Sequence, residues 1–319
     1  MEYLILIIGF LLLIKGADYF VEGASSIARI FNVPIILIGL TIVAFGTSAP
    51  EGAVSISAAL QGSHEIAVGN IIGSSIFNIL LVIGISAIIR PISIHRKTIL
   101  KEFPFLLLTC LVLFVLSHDI TLQGFTKNMI SKADGMILLA LFSIFLYYIV
   151  EVALLSREES KEEFKEEISD MKLSKSIIFL IFGLAGIIIG GDLVIDSSSQ
   201  IAINLGMGET LVGLTIVAFG TSLPELVTSI VAAIKGENDI AVGNAIGSNV
   251  FNILLILGIT SIINPLPVKE KVFFDMIYLL GATLATYLFV TTGKKANRFE
   301  GILMTLIYVF YMVFIIIRN

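Results

Sequence analysis

The strongest constraint on the fold is that membrane-length apolar runs fill the chain and that two of them contain a glutamate within nearly the same six residues. Glu51 ends the segment GTSAPE inside an apolar run from 35 to 60, and Glu225 ends the segment GTSLPE in the other half of the chain. A carboxylate inside a bilayer is costly, so an intramembrane Glu indicates a functional site by default. Two of them in matching contexts strengthen that interpretation.

The composition predicts an all-α polytopic membrane protein embedded in a lipid bilayer. Of the 319 residues, 57% are hydrophobic and 14% are charged, which leaves too few polar residues to cover a soluble globule. The net charge of −5, without a basic run, gives no reason to expect nucleic acid as a partner. Apolar windows of about 20 residues predict ten transmembrane helices. They lie at 3–22, 35–60, 66–90, 99–117, 134–155, 174–197, 209–234, 240–263, 272–292 and 299–317.

The two glutamates belong to an internal repeat. Shifting the sequence by 174 residues, from 39 to 213, aligns Gly39–Ile92 with Gly213–Leu266 without a gap. About two-thirds of these positions are identical. Each copy contains five predicted helices, so equivalent helices cross the membrane in opposite directions. Two inverted five-helix repeats with interrupted helices at matching positions are typical of secondary transporters whose site lies near the membrane midplane.

The loops predict the orientation of the chain. With the N-terminus outside, most Lys and Arg residues fall in inside loops, as the positive-inside rule requires. We therefore expect both termini to be extracellular, and the lack of a transit peptide or large cytoplasmic domain favours the plasma membrane. The expected organisation is a first repeat at 1–155, a cytoplasmic linker at 156–173 and a second, inverted repeat at 174–319. Since one chain holds both halves, we expect a functional monomer.

Glycine and proline predict that the second helix of each copy is interrupted, which makes helices 2 and 7 the broken ones. Gly46 and Gly220 are permissive, and Pro50 and Pro224 cannot donate a hydrogen bond to the preceding turn. The predicted breaks lie near these glycines and free main-chain carbonyls that suit a hard cation. The carbonyls concerned include those of Ala44, Thr47, Ala218 and Thr221.

Two interpretations of the glutamates compete. Ser48-Ala-Pro-Glu51 and Ser222-Leu-Pro-Glu225 both match the S-x-x-E capping box, in which the Glu only caps a half-helix. Capping does not explain two anions near the midplane of an inverted pair. If the carboxylates meet across the repeat axis, they form an all-oxygen shell with carbonyls and water, which suits Ca²⁺. Na⁺ competing for the same oxygens is then the simplest exchange mechanism.

The third helix of each copy adds polar side chains at a spacing of four residues, which places them on one face. In GNIIGSSIFN these are Ser74 and Asn78, and in GNAIGSNVFN they are Ser248 and Asn252. Such residues also form ordinary hydrogen bonds between membrane helices. Opposite a glutamate pair, ion ligation is the favoured interpretation. The paired glycines of these segments predict close helix packing.

Other chemistry-bearing residues stay outside the predicted site. Asp18, one turn after Lys15, and its repeat counterpart Asp192 are expected to pack or to form interfacial ion pairs. Cys110 stands alone in an apolar span and the three histidines lie near loops, so no buried nucleophile and base form a pair. We therefore expect neither an enzyme nor a cofactor.

At these motifs the sequence resembles the sodium/calcium exchangers of the cation/Ca²⁺ antiporter superfamily. The resemblance implies an electrogenic antiporter that exchanges about three Na⁺ for one Ca²⁺ by alternating access, with Glu51 and Glu225 as shared ligands. It also implies that the carbonyls of Thr47 and Thr221 complete the Ca²⁺ site and that Asn78 and Asn252 line its middle. The flanking Na⁺ sites would use the carbonyls of Ala44 and Ala218 together with Ser48, Ser222, Ser74 and Ser248.

Several alternatives stay open at this point. Proton/calcium exchangers typically have an acidic residue in the segment after GN, where this chain has Gly73 and Ser74, so this class comes second. Potassium-dependent relatives have an acidic residue where this chain has Asn252. A passive cation channel could use the same glutamates, although channels usually assemble around a pore. An intramembrane aspartyl protease fits least, because the paired acids are Glu in capping-box motifs.

Overall fold

The computed structural model describes residues 2–155, 171–207, 216, 218–293 and 295–318. Within this part of the chain, eight helices are long and apolar enough to cross a membrane. A further pair, Ile35–Thr47 and Ala49–Leu60, is bent by 47° and gives a ninth span if it counts as one. The chain is therefore a helical membrane protein.

The secondary structure is almost entirely helical, with three π-helical segments and four two-residue strands among the described residues. The first half contains α1 Glu2–Phe31, α2 Ile35–Ile38, π1 Gly39–Val43, α3 Ala44–Thr47, α4 Ala49–Leu60, α5 His64–Phe77, π2 Asn78–Val82, α6 Ile83–Ile89, β1 Ile92–Ser93, α7 Arg96–Leu100, α8 Glu102–Leu116, α9 Asp119–Gln123, β2 Met129–Ile130 and α10 Lys132–Leu155. The second half contains α11 Leu173–Asn204, α12 Ala218–Thr221, α13 Leu223–Lys235, α14 Asn238–Val250, π3 Phe251–Ile256, α15 Leu257–Ile263, β3 Leu266–Pro267, α16 Glu270–Gly293, β4 Lys295–Ala296 and α17 Arg298–Arg318.

The observed helices follow the predicted spans, with two kinds of difference. The first and sixth spans are longer than predicted, because α1 continues to Phe31 and α11 to Asn204. The residues by which α1 exceeds the predicted span include serines that are buried in the protein. The helix therefore continues through them although they are less apolar than the residues before them. The start of the seventh predicted span, at 209–215, and most of the predicted linker, at 156–170, lie outside the described residues.

The chain forms two compact units, and each draws on both copies of the repeat. The first unit comprises Met1–Pro50 and Ile149–Asn244, and the second comprises Glu51–Tyr148 and Ala245–Asn319. Two boundaries between these units fall inside the repeat motifs. One lies immediately before Glu51, and the other lies immediately after Asn244.

Glycines bring α1 and α11 into backbone contact in the first unit. A Cβ atom on Gly16 would lie 2.7 Å from the main-chain nitrogen of Ile187, and one on Gly183 would lie 2.5 Å from that of Phe20. Gly190 meets Leu13 in the same way. The contacts recur along the length of both helices, so the small residues permit an approach that larger side chains would prevent.

The helices that carry the polar motifs are the most buried spans. In His64–Ile89, 83% of the apolar window is buried, and in Asn238–Ile263 the share is 78%. The other six long spans have 22% to 39% buried, as expected for helices that face lipid. The polar motifs therefore lie in the protein interior.

In the second unit two antiparallel strand pairs join distant loops, since β1 pairs with β4 and β2 with β3.

Candidate functional site

The breaks in the two motif helices occur at equivalent serines of the first unit. Ser48 has φ −82° and ψ 3°, and Ser222 has φ −94° and ψ 5°. This bridge region of backbone space is sparsely populated and is common in active sites. Pro50 and Pro224 follow two residues later, where they cannot donate to the preceding turn. The sequence thus identified the cause of each break.

The position of the break differs from the prediction by two residues. Gly46 and Gly220 are helical, within α3 and α12. A Cβ on Gly46 would lie 2.9 Å from the Cδ1 atom of Leu184, so this glycine packs closely against that side chain. The predicted breaks near the glycines therefore lie two residues further along the chain, at Ser48 and Ser222.

Glu225 is held in the first turn of α13 and is fully buried. The hydroxyl of Ser48, which comes from the other copy of the repeat, donates to its Oε1 atom over 3.1 Å. The Ser222 side chain makes no capping hydrogen bond at the start of α13. The capping-box interpretation was therefore wrong for Ser222, and the carboxylate of Glu225 accepts a hydrogen bond from Ser48 of the first copy instead.

The residues before each break are also buried in the first unit. Thr47 is 0% exposed and Thr221 is 4% exposed. The Thr47 hydroxyl lies 2.9 Å from Oδ1 of Asn244. The carbonyl of Ala44 accepts the main-chain N–H of Ser48 over 3.0 Å, so the expectation that the break frees this carbonyl was wrong. The carbonyl oxygen of Ala44 retains a second lone pair. Ala218, which is the counterpart of Ala44 in the second copy, is the first residue of α12.

Glu51 occupies the matching position in the second unit, in the first turn of α4, and is fully buried. The amide nitrogen of Asn70 donates to its main-chain oxygen over 3.3 Å and to the Ser55 hydroxyl over 3.0 Å. Ser74 and Ser248, the two predicted serines of the third helices, are 4% and 0% exposed in the same unit. Each glutamate thus begins a helix in a polar, buried setting.

The predicted asparagines lie in π-helical turns of the second unit. Asn78 begins π2 and Asn252 lies in π3, and both are fully buried. Asn78 donates to the Oδ1 atom of Asn249 over 3.2 Å, and Asn249 donates to the carbonyl of Ser75 over 3.1 Å. Within the described part of the chain, neither amide atom of Asn252 has a hydrogen-bond partner. π-helical turns are frequent at functional sites, where they re-aim side chains.

Sequence reasoning missed five polar residues at these positions. Asn70 and Asn244 are the second residues of the repeated GN dipeptide, and the signal for them was that both copies carry Asn there. Ser55 and Ser229, each one turn after a glutamate, recur in both copies in the same way. Asn249 has Ser75 as its counterpart, so the repeat gave no signal for it.

The glycine pairs fit their prediction only in part. Gly243 packs closely, since a Cβ there would lie 2.9 Å from the carbonyl oxygen of Ile36. Among the residues that the structure describes, nothing lies within 4 Å of a Cβ added to Gly69 or to Gly73. Close packing at the glycines of the first copy therefore stays a prediction.

The acidic residues left out of the site behave differently in the two copies. Asp18 is 2.7 Å from the Nζ atom of Lys235 and 3.7 Å from that of Lys15, which confirms the expected ion pair. Lys235 also reaches Glu22 at 3.3 Å. Asp192 is exposed, and no ion pair to it occurs among the residues that the structure describes.

The chemistry available around each glutamate is that of oxygen ligands. Serine hydroxyls and asparagine amides lie close to both glutamates, and carboxylate, hydroxyl, amide and main-chain oxygens suit hard cations such as Ca²⁺ and Na⁺. Among the described residues no group of three or more His, Cys, Asp or Glu is placed to hold a metal ion. A cation bound at either glutamate would therefore depend on neutral oxygens as well as on carboxylate.

Comparison with known proteins identifies the fold and its relatives. A family model described as sodium/calcium exchanger protein matches residues 1–151 and 175–317. The sodium/calcium exchanger MaX1 of Methanosarcina acetivorans is 33% identical, with 98% of this chain and 97% of the relative covered. The inner membrane protein YrbG of Escherichia coli is 35% identical, with 94% and 92% covered.

A solved structure also matches over the full length. It is a structure of the sodium-calcium exchanger NCX_Mj soaked with zero Na⁺ and Ca²⁺. The TM-score is 0.85 and the sequence identity is 35%, and the match covers 98% of each chain.

Proposed function

Because the chain belongs to the sodium/calcium exchanger protein family, we propose that it is a secondary active antiporter that moves Ca²⁺ against Na⁺ across the membrane. Cation/Ca²⁺ antiport is the activity of the family, and the transported ions are substrates rather than cofactors. The finer proposal is an electrogenic exchange of about three Na⁺ for one Ca²⁺ by alternating access.

The observation that carries this proposal is that Glu225 is fully buried and accepts a hydrogen bond from Ser48. A fully buried carboxylate is costly unless a cation or several donors compensate it. The two residues come from opposite copies of the repeat, at the two breaks, and their oxygens are 3.1 Å apart. A cation that binds this carboxylate would meet main-chain and side-chain oxygens from both copies.

We propose that Glu51 and Glu225 are the two carboxylate ligands of the transported cation. Two carboxylates can be neutralised by one divalent ion or by several monovalent ions, so competition between Ca²⁺ and Na⁺ couples the two fluxes. Neutral oxygens would complete the ion sites. They come from Ala44, Thr47, Ser48, Ala218, Thr221, Ser222, Ser74, Ser248, Asn78 and Asn252.

The proposed architecture has ten transmembrane helices in two inverted five-helix repeats, at 1–155 and 174–319, joined by a cytoplasmic linker at 156–173. The broken helices are the second and the seventh. Inverted repeats supply two equivalent conformations that expose a fixed midplane site to either side. We further propose that both termini are extracellular, that the protein lies in the plasma membrane, and that a monomer suffices.

The first alternative is exchange of Ca²⁺ for protons, or exchange that also requires K⁺. Both would use the same glutamates, and only the counter-ion requirement separates them from Na⁺/Ca²⁺ exchange. Besides these two exchange modes, a passive cation channel is a further alternative. It would conduct without a counter-ion, so transport driven against a Ca²⁺ gradient would exclude it.

The test is Ca²⁺ uptake into proteoliposomes that are loaded with Na⁺ and diluted into Na⁺-free medium. We expect uptake only with the outward Na⁺ gradient, and faster uptake when the vesicle interior is positive, because net positive charge leaves. K⁺-loaded vesicles and vesicles with a pH gradient serve as controls. Uptake driven by protons, or uptake that needs K⁺, would replace the proposed counter-ion, and uptake without any counter-ion would replace the antiporter by a channel.

Substitution of the glutamates tests the site in the same assay. Glu51→Gln and Glu225→Gln each remove one of two charges that balance Ca²⁺, and we expect the uptake rate to fall by at least about 100-fold. Glu65→Gln is the matched control, because Glu65 is 62% exposed and pairs with Lys269. Wild-type rates in either site variant would refute the site.

A further inference from the structure

The asparagine of the repeated GN dipeptide makes the same two hydrogen bonds in both copies. Asn70 donates to the main-chain oxygen of Glu51 over 3.3 Å and to the hydroxyl of Ser55 over 3.0 Å. Asn244 donates to the main-chain oxygen of Glu225 over 3.2 Å and to the hydroxyl of Ser229 over 3.0 Å. The sequence offset of 174, from 70 to 244, is that of the repeat.

These contacts fix the glutamates through their main chain. Glu51 and Glu225 lie in the first turn after a break, where a helix has few internal hydrogen bonds and frays most easily. The serine stands four residues later on the same face, so each asparagine holds two points one helical turn apart. A roll or slide of the half-helix would break one of these bonds. The direction of the carboxylate, which follows the rotation of the helix, is thereby fixed.

Asn244 has an additional role because both the nitrogen and the oxygen of its side-chain amide form hydrogen bonds. Its Oδ1 atom accepts from the hydroxyl of Thr47 over 2.9 Å, and this threonine ends the half-helix of the other copy. The Thr47 hydroxyl also lies 3.2 Å from the carbonyl of Val43, but its single hydrogen favours the shorter contact. Asn244 is fully buried, so water does not replace these bonds. One side chain therefore links the two breaks.

We propose that Asn70 and Asn244 are positioning residues that hold the main chain of Glu51 and Glu225 in the orientation required to bind the transported cation. This inference rests on the proposed function. It assigns these asparagines no contact with the ion, since both amide hydrogens are donated to the glutamate carbonyl and the serine. Removing them should weaken cation binding and leave the later steps of transport nearly unchanged.

The test separates the Ca²⁺ concentration for half-maximal uptake from the maximal rate per protein molecule. We expect Asn70→Ala and Asn244→Ala to raise the half-saturating concentration by about 10- to 100-fold, as loss of a ligand-orienting partner does in metal sites. The maximal rate should stay within about twofold of wild type, since such a change weakens binding alone. A loss of maximal rate at unchanged half-saturating concentration would overturn the inference.

Asn264→Ala is the matched control. The Asn264 amide donates over 2.9 Å to the carbonyl of Ala59, so it makes the same kind of bond to the other end of helix α4. We expect wild-type kinetics in this variant. An equal rise in the half-saturating concentration would mean that any loosening of α4 has this effect, which would overturn the positioning role.

Milder variants cover the case in which the alanine variants do not fold. Ser55→Ala and Ser229→Ala remove one of the two anchors, and we expect a smaller rise in the same kinetic constant. Thr47→Val removes the hydroxyl but keeps the carbonyl, and its effect should be non-additive with that of Asn244→Ala. Unchanged half-saturating concentrations in all three would overturn the inference. If wild-type protein shows no Na⁺-driven Ca²⁺ uptake, the proposed function itself fails and the positioning role fails with it.

Discussion

The glycine contact between α1 and α11 leads to a prediction about stability. In Gly183→Ala the new Cβ would lie 2.5 Å from the main-chain nitrogen of Phe20, 2.7 Å from its Cα and 2.8 Å from the carbonyl oxygen of Gly16. All three atoms belong to the backbone of α1, so no side chain can rotate away. Restoring an ordinary contact distance requires the helices to separate by about 1 Å locally.

The magnitude follows from two opposing terms. Overpacking of this kind costs about 1 to 3 kcal/mol, and a rigid backbone neighbour places Gly183→Ala at or above the upper end. The better helix propensity of alanine returns about 1 kcal/mol. We therefore expect a net loss of about 2 kcal/mol in the free energy of unfolding, which corresponds to a fall of about 4 °C in the Tm.

Thermal unfolding of purified protein in one detergent is the assay, with Gly281→Ala as the matched control. Gly281 lies inside helix α16, and in the part of the chain that the structure describes nothing lies within 4 Å of a Cβ added there. Only the propensity term applies, so this variant should be up to about 1 kcal/mol more stable than wild type. The two variants should therefore shift the Tm in opposite directions. An unchanged Tm in Gly183→Ala, or an equal fall in Gly281→Ala, would refute the argument.

Two further predictions concern ion pairs. Arg318 donates to both carboxylate oxygens of Asp275, over 3.0 and 2.9 Å. Arg318→Lys should lower the free energy of unfolding by about 1 to 3 kcal/mol, because an ammonium cannot make this bidentate contact. Thermal unfolding measures the loss, and an unchanged Tm would contradict the prediction. Arg29 lies 2.7 Å from Glu237, whose side chain is 15% exposed, so Arg29→Gln should cost about 1.5 to 3 kcal/mol. Adding Glu237→Gln should recover part of that loss, and full additivity in the double variant would disprove the coupling.

The positions of the glutamates and of the helices could be read from the sequence because each depends on local or repeated patterns. Apolar runs define the spans, and the repeat placed Glu51 and Glu225 at equivalent points. The structure puts both in the first turn of a half-helix and buries them fully. These features need no knowledge of which distant residues meet.

The partners of the site residues could not be read in this way. The contact between Ser48 and Glu225 joins residues from opposite copies, and no local pattern specifies it. Asn244 was overlooked because its neighbouring glycine explained the motif without it. Its importance follows from three hydrogen bonds whose partners are 15 to 197 residues away in the sequence.

Glycine was the residue type whose role was hardest to predict. Gly46 could mark a break or a close contact, and the structure assigns it to close contact with Leu184. Gly73 could mark close packing or open space, and within the described ranges of the chain nothing lies within 4 Å of a Cβ added to it. The absence of a side chain permits all of these, and only the surroundings determine which one occurs.

The measurement that tests the central claim most directly is equilibrium binding of Ca²⁺ to purified protein, with Na⁺ as the competitor. Wild-type protein should bind Ca²⁺ and release it on addition of Na⁺, with a displacement curve steeper than that for one competing ion. Glu51→Gln and Glu225→Gln should each lose Ca²⁺ binding, whereas Glu65→Gln should keep it. Ca²⁺ binding that survives in both site variants, or that Na⁺ does not displace, would contradict the claim that the two glutamates form the shared cation site of an exchanger.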